Sequence, residues 1–224
     1  MKDISLYDIL GVLAPGTVLT VGVVVLFPET AVIINNKDFS IGDLGLVVLV
    51  SYVMGNLVAA FGNVLEHLYW KVRGGWPTER ARHAKHNILQ SRTREALEVR
   101  MRHVGFVGPS EAIANLGERD WRQLARRIYT FIEHRGLTRR IDVFNAQYGM
   151  NRGIAAGFLA LIVLVFVQRG WEVWRVALML AGFCALALYR MNRFANYYAT
   201  ELFNQFIGAP DEAKPGEGTT GPTG

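Results

Sequence analysis

Cysteine is almost absent: Cys184 is the single one in 224 residues, so neither an intramolecular disulfide nor a cysteine-built metal cage is available. Charge is scarce too. Charged residues make up 19% of the chain against 51% hydrophobic ones, and acids are the rarer sign, 19 against 24 Lys and Arg. The apolar residues stand in blocks, and too little chain remains outside them to wrap four buried helices in amphipathic cover, which argues against a water-soluble fold. No catalytic or cofactor motif is recognisable, so the expectation is a non-enzymatic protein with no cofactor. A small-x-small cleavage site is missing after the first block, which favours a retained first span over a signal peptide.

What is present sets the class. A bilayer core about 30 Å thick needs about 20 mostly apolar helical residues to cross it. Four blocks approach that length: Ile9 to Phe27, Ile41 to Val64, Gly153 to Val167 with an extension from Phe144 to Met150, and Val173 to Leu188. The predicted class is all-α: an integral membrane protein with four transmembrane helices and a helical cytoplasmic domain inserted between helices two and three. Residues 1–70 hold the first two spans, 71–143 the basic domain, 144–207 the last two spans with a helical extension, and 208–224 a Gly- and Pro-rich tail expected to be disordered.

Orientation follows from the distribution of charge. Lys71 to Arg152 holds 17 of the 24 basic residues against 8 acidic ones. The connector between spans one and two has Lys37 alone, and that between spans three and four has Arg169 and Arg175. Positive charge stays on the cytoplasmic side, which places the long connector and both termini there. Trp70, Trp76, Tyr148, Trp171, Trp174 and Tyr189 fall near the proposed span ends, as an aromatic belt does.

The connector carries helical signals. Thr78 is a candidate cap for a helix from Glu79 to His103, and GPSEAIANLGE breaks it. A second helix from Arg119 to Arg135 puts Trp121, Leu124, Ile128, Phe131 and Ile132 on one face, and Gly136 ends it. From Leu137 no strong breaker occurs before Gly170, so span three continues a cytoplasmic helix. Span four likewise runs on through YRMNRFANYYATELFNQF, and the two extensions are expected to form a stalk.

The second block carries the candidate site. At about 100° per residue, Asn56, Asn63 and His67 form one stripe, and Gly55, Ala59, Gly62 and Glu66 the adjoining one. Small residues admit close helix packing, with Gly55, Ala59 and Gly62 the candidates for it. Asn56, Asn63, Glu66 and His67 are candidates for a polar path, because polar groups inside a membrane face a cavity or one another. Lys71 and Arg73 are the nearest cations for Glu66 along the helix. Pro15-Gly16 predicts a kink in the first span.

The histidines suggest further chemistry. His83 and His86 have the i, i+3 spacing of two metal ligands, but no nearby Cys or carboxylate completes a set, and no metal is expected. Arg80 with His86 and Arg127 with His134 have a spacing that resembles the active-site pair of the helical HEPN ribonucleases, which makes these four residues candidate nucleic-acid contacts.

YDILGVLAPGTVL near the start, SYVMGNLVAAFGNVLE in the second block and YRMNRFANYYATELF after the fourth give a chain whose architecture resembles small multi-pass bacterial membrane proteins. Among these are membrane effectors of CRISPR and other antiphage systems. The likeness covers the chain apart from its tail and rests on no catalytic motif. It implies an oligomer in the bacterial inner membrane that permeabilises it when triggered through the cytoplasmic domain. The expected partners are the lipid bilayer, further copies of the chain, and a cytoplasmic protein or nucleic acid met by residues 71–143. Two other readings remain: an anchor or scaffold recruiting a cytoplasmic partner, and a membrane-tethered ribonuclease.

Overall fold

The computed structural model describes residues 6–29 and 41–210, which are helical with no strand among them. Seven helices follow in order: α1 Leu6–Leu26, α2 Ile41–Val72, α3 Pro77–Arg80, α4 Ser91–His103, α5 Glu118–Glu133, α6 Arg139–Arg169 and α7 Trp174–Gly208. Two helical stretches, Ile41–Arg80 and Arg139–Gly208, are long and apolar enough to cross a membrane. Lys37 and residues 211–224, on which part of the orientation argument and the expected tail rest, lie outside the described residues.

The chain divides into two units. The first comprises Met1–Arg73 and Val143–Ala195, the second Gly74–Asp142 and Asn196–Gly224. We call them the apolar unit and the basic unit.

In the apolar unit, close approach of backbones substitutes for a large core. Gly16 of α1 lies against the Ser51 carbonyl of α2, and Gly55 of α2 against the Val12 carbonyl of α1, so that a Cβ on either glycine would collide with main chain. Pro15, the residue expected to kink α1, lies within the continuous helix with its ring packed on Gly153 of α6. A modest cluster of Leu19, Phe27, Val58, Ala156, Leu161, Val165 and Leu180 fills the interior. The outside is apolar as well: Phe61 is 67% exposed, Val167 81% and Leu178 65%.

The basic unit is built the usual way round. Leu97, Met101, Ile113, Trp121, Ile128, Ile132 and Ile141 are all but fully buried. Phe203 and Phe206 of α7 complete this core, Phe206 stacking on Phe106 at 5.6 Å and meeting Phe131 edge-on at 5.3 Å. The carboxyl-terminal part of α7 is therefore core of the basic unit, where sequence periodicity suggested a projecting stalk. Arg100 and Arg135 fasten its end by donating to the carbonyls of Ala209 (2.6 Å) and Pro210 (2.9 Å).

Helix ends follow local chemistry. Gly105 and Gly136 adopt positive φ (72° and 69°) after α4 and α5. In each case the next residue donates back six-to-one, Phe106 to Met101 (2.8 Å) and Leu137 to Ile132 (3.1 Å), which closes the helix in a Schellman motif. The helix predicted from Glu79 to His103 is corrected to α3, a 3-10 turn at Ala84–His86, and α4. Trp76 takes the N-cap position, with its N–H bonded to Glu79 Oε2 at 3.1 Å. After one turn the chain leaves the helix as Arg82 is drawn inward onto the Leu116 carbonyl, and Asn87 turns left-handed at φ 50°.

Candidate functional site

The two stripes of α2 separate. Gly55, Gly62 and Glu66 are buried and Ala59 half-buried, whereas Asn56, Asn63 and His67 are exposed. The small-residue stripe is thus used up within one protomer: Gly55 lies on α1, and a Cβ at Gly62 would stand 3.4 Å from Cγ of Arg152 on α6. The amide stripe faces outward among Tyr52, Val53, Leu57, Val64 and Leu68, all exposed and nearly all apolar. The Asn56 amide donates to the Tyr52 carbonyl one turn back (2.9 Å), which leaves its own side-chain oxygen on the outer face.

Glu66 belongs to the packed stripe and is separated from the amides it was grouped with. Its carboxylate accepts a hydrogen bond from the Tyr148 hydroxyl and is ion-paired with Arg152, both on α6. Trp70, one turn along α2, donates its indole N–H to the same hydroxyl at 2.9 Å. Glu66 is only 5% exposed and Trp70 1%, with the Arg152 side chain 23% exposed, so the carboxylate is shielded from water and the loss of its partner is costly. Lys71 and Arg73, the sequence neighbours expected to neutralise Glu66, are exposed. Each half of this clamp is an i, i+4 couple, Glu66 with Trp70 and Tyr148 with Arg152. Their complementarity was available in the sequence; their pairing across an intervening domain was not.

The arginine and histidine pairs have different fates. Arg127 is exposed, with its guanidinium 4.6 Å from the Phe106 ring centre, and His134 is exposed at the C-cap of α5. The two stand seven positions apart on one helix, a rise of about 10 Å between their backbones. Arg80 and His86 share a turn, where partial burial first, and then the charges of Arg80 and Lys85, hold the His86 imidazole below its usual pKa range. No family model matches the chain, and comparisons with curated proteins and with solved structures give no significant match.

Proposed function

We propose that this is a membrane protein crossing the bilayer with α1, α2, α6 and α7, and that copies meet through the Asn56, Asn63 and His67 face of α2 to line a polar path. One observation carries the reading: the amides point away from the protomer while the small residues beside them are already engaged inside it. In hydrocarbon the amide groups that their own helix leaves unmet find partners on another helix, and such bonds contribute about 1 kcal/mol each. A second copy presents the same stripe. The basic unit, on the cytoplasmic side of a bacterial inner membrane together with both termini, controls the path, and the whole acts as a membrane-permeabilising effector of the kind used in antiphage defence.

Two measurements test this. With Cys184 changed to Ala, Asn63→Cys is expected to form an inter-protomer disulfide on mild oxidation in membranes, while Leu178→Cys, exposed on α7 away from that face, does not; absence of the cross-link from the Asn63→Cys protein overturns the interface. In reconstituted vesicles, potassium efflux is expected to fall by about tenfold in Asn63→Leu with insertion intact. Unchanged efflux removes the path and leaves the anchoring role, which the separate core of the basic unit favours.

A further inference from the structure

We propose that the turn from Arg80 to Arg94 in the basic unit is a binding site for a phosphate group. The inference is independent of the path along α2. After α3 the chain winds through the 3-10 turn Ala84–His86, with His83 N–H bonded to the Arg80 carbonyl (3.1 Å) and Asn87 left-handed. This winding gathers Arg80, Arg82, His83, Lys85 and His86, and Arg94 joins them from the first turn of α4. The two imidazoles lie 6.3 Å apart, edge to face. Arg82 is 8% exposed and serves as the frame: it donates to the Leu116 carbonyl and, through Nε, to His83 Nε2 at 3.0 Å. Arg94 is oriented by the Leu89 carbonyl at 3.0 Å.

Two features mark this cluster as unfinished by the protein itself. Among the described residues, none of Arg80, Arg82, Lys85 and Arg94 forms an ion pair; of the two acids next to them in sequence, Glu79 is committed to Arg122 (3.3 Å) and to the Trp76 N–H, and Glu95 is exposed on α4. Some arginines elsewhere in the unit are neutralised or stacked, as Arg140 on Glu201, Arg102 on Glu98 and Arg135 on the Phe131 ring. The Nε donors of Arg80 and Arg94 are also enclosed and carry no hydrogen bond within the chain, although an enclosed charged donor is costly to leave unmet.

The chemistry selects the ligand class. Four cations with no countercharge repel a divalent metal, which disposes of His83 and His86 as a ligand pair. Burial first, and then the charges of Arg82, Lys85 and Arg94, hold the His83 imidazole below its usual range. A phosphate offers two negative charges and several acceptor oxygens, enough for guanidinium forks and imidazole N–H groups together. The phosphate belongs either to an anionic lipid headgroup or to a small soluble molecule.

The test uses the full chain in phosphatidylcholine nanodiscs, with the histidine side-chain resonances followed by NMR. Inorganic phosphate is expected to shift His83 and His86 saturably and to raise their pKa values. Arg80→Gln with Arg94→Gln weakens that binding about tenfold, while Arg126→Gln, an exposed arginine of α5, leaves it unchanged. Should the double variant fail to fold, Lys85→Gln, which alters only an exposed side chain, weakens it about threefold. Nanodiscs containing phosphatidic acid that reproduce the shifts without added phosphate identify a lipid headgroup; shifts with inorganic phosphate alone identify a soluble ligand. Absence of saturable shifts in both arms, or midpoints unaffected by all of these variants, overturns the site.

Discussion

The apolar unit and the basic unit solve the same packing problem with opposite surfaces. The basic unit buries its aromatics: Trp121, Phe203 and Phe206 are sealed from solvent, while most of its arginines, Arg82 apart, are exposed or half-buried. The apolar unit leaves Phe61, Leu57, Phe183 and Leu186 exposed and holds its helices together by glycines and one enclosed ion pair. The difference is the one expected if the apolar unit lies in lipid, as proposed, and the basic unit in water. In water, burial of apolar area drives association, so large side chains go inside. Between apolar helices in lipid that drive vanishes, and close backbone contact and polar bonds are what remain.

The sharpest way to break this comparison is at Gly16. Gly16→Leu drives a side chain into the Ser51 carbonyl. Because neither backbone can yield, it is expected to destabilise by about 4 kcal/mol or more, seen as loss of monodisperse protein in detergent. Gly45→Leu, on α2 with open space around it, is tolerated. Next in size, Phe206→Ala costs about 3–5 kcal/mol through the cavity it leaves, whereas Phe61→Ala, equally aromatic but exposed, changes thermal stability by about 0.5 kcal/mol or less. Equal effects at the two sites would abolish the distinction between the units.

Glu66→Gln is expected to cost about 3 kcal/mol, because it takes the anion away from the partly buried Arg152 guanidinium and from the Tyr148 hydroxyl. A second change, Arg152→Met, recovers much of the loss, and a double-mutant cycle on the melting temperature measures the coupling. The smallest effect concerns pH. His83 and His86 have lowered pKa values in the folded basic unit, so the unfolded chain takes up protons first on acidification. Their contribution is complete above the ordinary imidazole range and is lost as pH falls through it toward the folded values. The unit should melt about 2 °C lower at mildly acidic than at neutral pH, and His83→Gln with His86→Gln should flatten that dependence.

Legibility differed between these features for physical reasons. The helical class, the long apolar stretches, and the amphipathic α5 with its stop at Gly136 were readable because helical periodicity, hydropathy and glycine caps are local properties. The break between α3 and α4 was not, since Arg82 leaves the helical path for the carbonyl of Leu116, thirty-four residues away. The α2 stripes were readable as stripes. That one faces inward and the other outward was not, because a helix carries two candidate faces until its neighbours are placed.

By itself, then, the order of residues determined which segments are helical, which are too apolar for water, and where positive charge accumulates, all set by side chains within a few turns of one another. Only the tertiary structure decided that Glu66 answers Arg152 and Tyr148 instead of Lys71 or Arg73, that the end of α7 completes the core of the basic unit, and that the Nε donors of Arg80 and Arg94 are enclosed without a hydrogen bond. These depend on contacts between residues far apart in the chain. Their geometry exists only once the helices have packed.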